Sequence, residues 1–160
     1  IQQVRKEDLM LVRKNYKLNQ IDAEISIFFE DISEKFKISH LIITRSGGSS
    51  VAEVLASNRP VIFIPLPTSL DNHQYKNAKF LENKKCGWLI DQTNKNVNEL
   101  EKLIKHLLQN PKNLVEASNQ LKKLANRLEK LRDNKTPTEF LSEYILKLIN
   151  DNKKVVPTTC

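Results

Sequence analysis

The sequence predicts an α/β fold organised on a doubly wound parallel sheet, and three observations lead there. Leu41-Ile42-Ile43 and Val61-Ile62-Phe63-Ile64 are unbroken apolar runs, too short for helices and β-branched enough for strands buried on both faces. Around them, apolar residues recur at the three-and-four spacing of amphipathic helices. The connections are short, so helices and strands alternate as in crossover units.

In chain order, residues 8–16 place Leu9, Val12 and Tyr16 on one helical face, with Glu7 and Asp8 at its start, where the helix dipole favours acid. Residues 21–29 alternate apolar and polar up to the pair Phe28-Phe29 and predict a half-buried strand. A short helix over 31–37, with Ile32 and Phe36 inward, leads to a strand over 40–44. Then comes Thr44-Arg45-Ser46-Gly47-Gly48-Ser49-Ser50-Val51-Ala52-Glu53, which reads as a strand end, a small-residue turn and the start of a helix over 50–57. Ser57-Asn58-Arg59-Pro60 stops that helix, and Pro65-Leu66-Pro67 closes the second apolar strand. The loop 68–72 opens a helix over 73–83 with Asp71 as its N-cap, and Cys86-Gly87-Trp88-Leu89-Ile90 supplies a further strand.

The remainder reads as helical. Val97, Leu100, Leu103, Ile104, Leu107 and Leu108 form one stripe over 97–108. Leu114, Ala117, Leu121, Leu124, Leu128 and Leu131 form a heptad-like seam over 112–132, which we expect to pack on its own domain rather than on a partner helix. Thr136-Pro137-Thr138-Glu139 is a capping box with proline at the first helical position. It opens a last helix that should bury Phe140, Leu141, Tyr144, Ile145, Leu148 and Ile149, with a frayed, disordered tail over 151–160.

At 160 residues the chain is long enough for one domain with a core, and 39% apolar with 28% charged residues is an ordinary globular composition. No apolar stretch approaches the roughly 20 residues of a membrane helix, and the polar start has no signal-peptide character, so a cytoplasmic protein is expected. The first residue is Ile1 rather than Met, which suggests a piece of a longer protein. Cys86 and Cys160 lack C-x-x-C or Cys/His partners and read as free thiols. The formal charge is +7; residues 1–75 carry 9 basic and 9 acidic side chains and residues 76–160 carry 17 and 10. An anionic surface or nucleic acid would suit that excess, but most of these lysines fall on polar faces of predicted helices, which is sufficient reason for them.

Two polar clusters lie at carboxyl ends of predicted strands, where ligands bind in open α/β sheets. The first is the glycine turn. Two adjacent glycines permit positive φ and close approach of another molecule, and the following helix start offers unpaired N–H groups beside the positive dipole end, a place that attracts phosphate. The same residues also fit a plain capping box, Ser50 and Glu53 in S-x-x-E spacing, and the local pattern leaves both readings open. The second cluster is Asp71-Asn72-His73-Gln74 at a helix start. It reads as plain surface, or as donors and acceptors suited to sugar hydroxyls. Asp71 and His73 would be half a metal site, but no third ligand follows at usable spacing.

Taken together, five motifs resemble one family. They are Gln2-Gln3-Val4-Arg5 with Glu7-Asp8-Leu9, Phe28-Phe29-Glu30-Asp31-Ile32, Arg45 to Glu53, Pro60 to Pro67, and Asp71-Asn72-His73-Gln74-Tyr75 with Asn77-Ala78. In order and spacing they resemble the C-terminal half of the MurG family, bacterial UDP-N-acetylglucosamine transferases that make lipid II for peptidoglycan. The similarity runs over residues 1–110 and is strongest over 40–80. It implies the C-terminal, Rossmann-like half of a GT-B glycosyltransferase. Backbone groups at Phe29 would meet the uracil, Ser50 with the turn Ser46, Gly47, Gly48 and Ser49 would bind the diphosphate, and Glu53 would take the ribose. His73 and Gln74 would face the N-acetylglucosamine. His73 departs from family members that carry glutamine there, and the loop before it is one residue longer than in some.

The same resemblance assigns the general base, the acceptor-binding loops and much of the membrane-facing surface to an N-terminal domain, none of which this sequence holds. It also puts the first strand and glycine loop of the C-terminal domain before Ile1. The expected organisation is a donor-binding domain over 1–132, a helix over 133–150 and a tail over 151–160, inactive by itself. The implied partners are UDP-N-acetylglucosamine, lipid I through the N-terminal domain, and the cytoplasmic face of the bacterial inner membrane as a peripheral surface. No cofactor, no tightly held metal and no nucleic acid are expected. Other readings are a stand-alone donor-binding subunit of a split transferase, a GT-B sugar-nucleotide epimerase, and a basic nucleic-acid-binding module whose binding would fall steeply with salt.

Overall fold

A computed structural model describes residues 1–92, 97–131 and 135–153, in two compact units, Ile1–Ile38 and Ser39–Cys160. In the first unit β1 (Gln2–Gln3) runs parallel to β2 (Ile25–Ser26), with Gln2 opposite Ile25. The pairing rests on main-chain bonds, Gln2 N–H to Glu24 O at 2.8 Å and Val4 N–H to Ser26 O at 2.9 Å. A 3-10 turn, Lys6–Asp8, leads into α1 (Leu9–Leu18), whose half-buried positions are Leu9, Val12 and Tyr16. The Tyr16 hydroxyl donates to Gln2 Oε1 at 2.7 Å and ties that helix to β1.

The strand expected over 21–29 is only two residues long. The Ser26 hydroxyl donates to Phe28 O at 2.6 Å and accepts from Phe28 N–H at 3.3 Å, a local turn that competes with the ladder. Ile21, Ile27 and Phe28 are consequently exposed, while Phe29 is buried. In α2 (Ile32–Ile38), Lys35 lies with Nζ 5.6 Å from the Phe29 ring centroid, 2.8 Å from Glu24 and 3.6 Å from Asp31. The hydrogen bond to Glu24 holds the Lys35 ammonium above its ordinary pKa.

The second unit holds β3 (Ile42–Thr44), β4 (Val61–Phe63) and β5 (Trp88–Leu89), all parallel in the order β3-β4-β5. Ile42 stands opposite Val61, and Ile62 opposite Trp88. Every residue of β4 is fully buried, as a central strand covered on both faces requires. Ile62 points into a cluster with Ile90 and Leu107, the last from α5 (Val97–Gln109), and alternation sends Val61 and Phe63 to the opposite face. Connecting the strands are α3 (Gly48–Ser57) and α4 (His73–Asn83). The seam of α6 (Pro111–Leu131) packs within its own unit, against α3 and α5, with Ala117, Leu121 and Leu128 buried. The Ser118 hydroxyl donates to Asn58 O at 2.8 Å, where Asn58 ends α3 in the left-handed region at φ 55°. Finally, α7 (Pro137–Lys153) lies on α3, and Tyr144 meets Phe140 and Phe80 with ring centroids 5.7 and 6.5 Å away.

Several local expectations are corrected. Helix α3 starts at Gly48, not at Ser50, with Gly47 as an N-cap that has no capping side chain. Ser50 is then the third helical residue, with helical backbone angles, so the box with Glu53 does not form. Gly47 sits at φ −64° and ψ 159°, and no glycine has positive φ. Asp71 falls inside a 3-10 turn, Leu70–Asn72, which leaves Asn72, at φ 58°, to precede α4. Leu108 is exposed because the helical step carries it off the stripe that buries Leu107. Residues 151–153 continue α7, so the tail does not begin at 151. The expected tail over 154–160 with Cys160, and the side chains of Val97, Leu148 and Ile149, lie outside the described residues. Cys86 is a buried free thiol, pushed up to about 11 by that burial.

Gly87, beside β5, is fixed by packing: a Cβ there would lie 2.4 Å from Val61 O and 2.7 Å from Val61 Cγ1. Gly87→Ala should cost about 2–3 kcal/mol in urea denaturation, since the strand must move to accept the methyl. The capping box at α7 is formed, with Thr136 N–H to Glu139 Oε2 at 3.2 Å, Thr136 Oγ1 to the same oxygen at 2.6 Å and Glu139 N–H to Thr136 Oγ1 at 3.4 Å. The Thr136 hydroxyl holds the Glu139 carboxyl below its ordinary pKa. That stabilisation is present above the unfolded-state value near pH 4.3 and is lost as pH falls through the lower folded value. Thr136→Ala should cost about 1 kcal/mol at pH 7. Circular-dichroism melts at pH 7 and at lower pH should show the wild-type advantage shrink towards the acid end, the pH-independent bond from Glu139 N–H to Thr136 Oγ1 remaining.

Candidate functional site

Because β3, β4 and β5 are parallel, their carboxyl ends share one edge of the sheet, and the starts of α3 and α4 open there. The turn from β3 into α3 is stitched to α4 through a buried serine. Ser46 has no exposed surface; its hydroxyl donates to Gln74 O at 2.7 Å, and its carbonyl accepts from Asn77 Nδ2 at 3.0 Å. These two bonds run in opposite directions and fix the turn against the first turn of α4. The Gln74 side chain reaches back to the loop after β4, its Oε1 accepting from Leu66 N–H at 2.9 Å.

The first intrahelical bond of α3 is Val51 N–H to Gly47 O at 3.0 Å, so the N–H groups of Gly48, Ser49 and Ser50 have no partner inside the helix. Gly47 has nothing within 4 Å of where a Cβ would sit, whereas Gly48 faces α7, with Ser142 Oγ and Thr138 Cγ2 each 3.4 Å from that position. Ser49 is exposed and Ser50 half-buried. Glu53, half-buried one helical turn further on, makes no hydrogen bond or ion pair among the described residues. His73 is exposed as the first residue of α4. The structure thus brings Ser46, Gly47, Gly48, Ser50 and Gln74 to one edge of the second unit. Phe29 belongs to the first unit, with its ring buried beside Lys35.

Asn77 was missed as a candidate, although its spacing of three from Gln74 places both on one helical face. Among the described residues no three His, Cys, Asp or Glu side chains converge to hold a metal, and no helix is long and apolar enough to cross a membrane. What the edge offers is a row of free N–H groups at a positive dipole end, flanked by carboxamides. That combination suits an anion carrying hydroxyl groups.

The family model for the glycosyltransferase family 28 C-terminal domain matches residues 1–135. The chain belongs to glycosyltransferase family 28. Among family 28 relatives, the proteins of Rickettsia felis and Rickettsia bellii are 40% and 39% identical over 112 and 111 residues, which is 70% and 69% of this chain and 31% of each relative. A relative from Wolbachia pipientis is 39% identical over 109 residues, 68% of this chain and 32% of that protein. All three are named UDP-N-acetylglucosamine--N-acetylmuramyl-(pentapeptide) pyrophosphoryl-undecaprenol N-acetylglucosamine transferase. The chain spans about a third of the length of these curated relatives. The crystal structure of Acinetobacter baumannii MurG is similar with a TM-score of 0.70 over 91% of this chain and 42% of that one, at 24% identity. The fold is accordingly the Rossmann-like, C-terminal half of a GT-B glycosyltransferase.

In this family 28 domain, Ser46 is the side chain on which the edge depends. Ser46→Ala removes the hydroxyl's bond to the Gln74 carbonyl, which keeps its place as a helical acceptor in α4, and should cost about 1 kcal/mol. Calorimetric unfolding checks the magnitude, and a loss within a few tenths of a kcal/mol would refute the tie.

Proposed function

We propose that this chain supplies the donor-binding part of an inverting N-acetylglucosaminyltransferase that moves N-acetylglucosamine from UDP-N-acetylglucosamine to lipid I, giving lipid II. Gly47 is the observation that carries the reading. Its backbone angles suit any residue and no described atom lies within 4 Å of where a Cβ would sit, so neither conformation nor packing among the described residues requires a glycine. Close approach of a ligand beside the free N–H groups of Gly48, Ser49 and Ser50 does require one.

In this reading the diphosphate lies on the first turn of α3, and Glu53, uncommitted among the described residues, takes the ribose hydroxyls. His73 and Gln74 face the sugar, with Asn77 on the same face of α4. Within the first unit, the main chain of Phe29 is proposed for the uracil, since its ring is buried. The C4 hydroxyl of the N-acetylmuramoyl unit attacks the anomeric carbon, the bond to the diphosphate oxygen breaks, and UDP leaves in one displacement without a covalent enzyme intermediate. The residues of this chain hold the donor, and the N–H groups and dipole of α3 stabilise the negative charge that grows on the departing diphosphate. The acceptor, its general base and the membrane contact, at the cytoplasmic face of the inner membrane, belong to an N-terminal domain or a separate acceptor subunit.

Titration calorimetry with UDP on Gly47→Ala and Glu53→Ala tests the reading. Gly47→Ala should leave stability unchanged to within about 1 kcal/mol, because the gain from restricting the unfolded chain is offset by alanine being a poorer N-cap than glycine. Each variant should nevertheless bind UDP about tenfold or more weakly, the equivalent of 1.4 kcal/mol or more. Variants that bind UDP as the unsubstituted chain does would remove the donor site from this edge.

A further inference from the structure

Arg45 directly follows β3, and none of the roles above uses it. Its Nη1 lies among three acceptors, Ile64 O at 2.9 Å, Pro65 O at 3.3 Å and Gln92 Oε1 at 2.5 Å, so one guanidinium gathers the ends of β3 and β4 and the segment after β5. The loop it grips contains Pro65, Leu66 and Pro67. Neither proline has an N–H, which leaves Leu66 as the one main-chain donor of the three, and that donor goes to Gln74 Oε1 at 2.9 Å. Gln74 O in turn accepts the Ser46 hydroxyl at 2.7 Å, and Ser46 is the neighbour of Arg45 in sequence. The bonds close a ring from Arg45 through Ile64, Pro65 and Leu66 to Gln74, then to Ser46 and back.

We propose that Arg45 is a positioning residue: by holding the carbonyls of Ile64 and Pro65 it places the Leu66 N–H, which fixes the orientation of the Gln74 carboxamide. With Oε1 turned to Leu66, the amide directs its NH2 away from that loop and meets a ligand chiefly as a donor. The edge then selects a group that accepts, such as a sugar hydroxyl or acetamido oxygen. Arg45 itself touches no sugar and acts through the loop. The ligand half of this inference rests on the donor-site reading, while the mechanical half stands without it.

Arg45→Met keeps the aliphatic stem and removes the guanidinium, and Arg45→Lys restores one charged donor. On the full 160-residue chain, amide hydrogen exchange by NMR should show Leu66 exchanging about tenfold faster in Arg45→Met, as expected for loss of one hydrogen bond. Arg45→Lys should be intermediate. Exchange at Ile42, whose N–H donates to Pro60 O at 2.9 Å in the ladder, should stay unchanged. In calorimetry, the advantage of UDP-N-acetylglucosamine over UDP should shrink about tenfold in Arg45→Met, with UDP itself altered less than about twofold. Unchanged exchange at Leu66 overturns the inference. So does a uniform loss, in which Leu66, Ile42, Tm and both ligands fall together, because that marks a general structural role. If the unsubstituted chain binds neither UDP nor UDP-N-acetylglucosamine, the donor reading fails. The exchange comparison still decides whether Arg45 holds Leu66.

Discussion

Burial of Ser46 is the constraint on which the carboxyl edge of the sheet depends. A hydroxyl with no exposed surface must find a partner or cost the fold its full desolvation, and here it finds one on the next crossover helix, in Gln74 O. The carbonyl of the same residue is met by Asn77 Nδ2. A single bond would leave the turn free to pivot; two bonds of opposite sense on one residue fix both its distance from α4 and its rotation. Since Gly47 comes next in the chain, the first turn of α3 inherits that placement. The free N–H groups are thus set by a serine whose own hydroxyl is committed elsewhere.

The three glycines of the sequence divide by cause, and the division separates packing from ligand approach. Gly87 is demanded by a main-chain oxygen 2.4 Å from where its Cβ would be. Gly48 lies in ordinary contact with α7 through Ser142 and Thr138 at 3.4 Å. Gly47 meets neither condition. Positive φ, the usual reason to place glycine in a turn, applies to none of them. Among the described residues, the left-handed positions are taken instead by Gln20, Asn58, Asn72 and Lys85.

Much of the fold was legible because burial on a sheet imposes its own composition. The runs at 42–44 and 61–63 and the helices after residue 97 announced themselves by apolar content and period. β1 did not, since Gln2 and Gln3 are held by main-chain pairing and carry no apolar signal. The alternation over 21–29 predicts a longer strand than forms, because it registers side chains and is blind to a serine that turns the backbone at Ser26. At the site, the glycine turn and Gln74 were visible as local patterns. The ties from Ser46 to Gln74 and from Arg45 to Ile64 were not, because each joins residues 28 and 19 apart whose identities do not signal one another.

The S-x-x-E type of pattern occurs at two helix starts here and forms a capping box at only one, which shows what the local pattern leaves undecided. At α7, Pro137 can occupy only the first helical position without losing a bond, so Thr136 is forced to be the cap and Glu139 closes on it. At α3 nothing pins the start to Ser50. The extended Gly47 takes the cap position three residues earlier, and glycine there costs only a few tenths of a kcal/mol against a capping side chain. The fold thereby gives up little by leaving that start uncapped. The two helix starts then differ in what they can do: α7 caps the N–H groups of Thr136 and Glu139 with its own side chains, whereas α3 keeps three N–H groups outside its helical bonding and the side chain least able to obstruct an approaching phosphate.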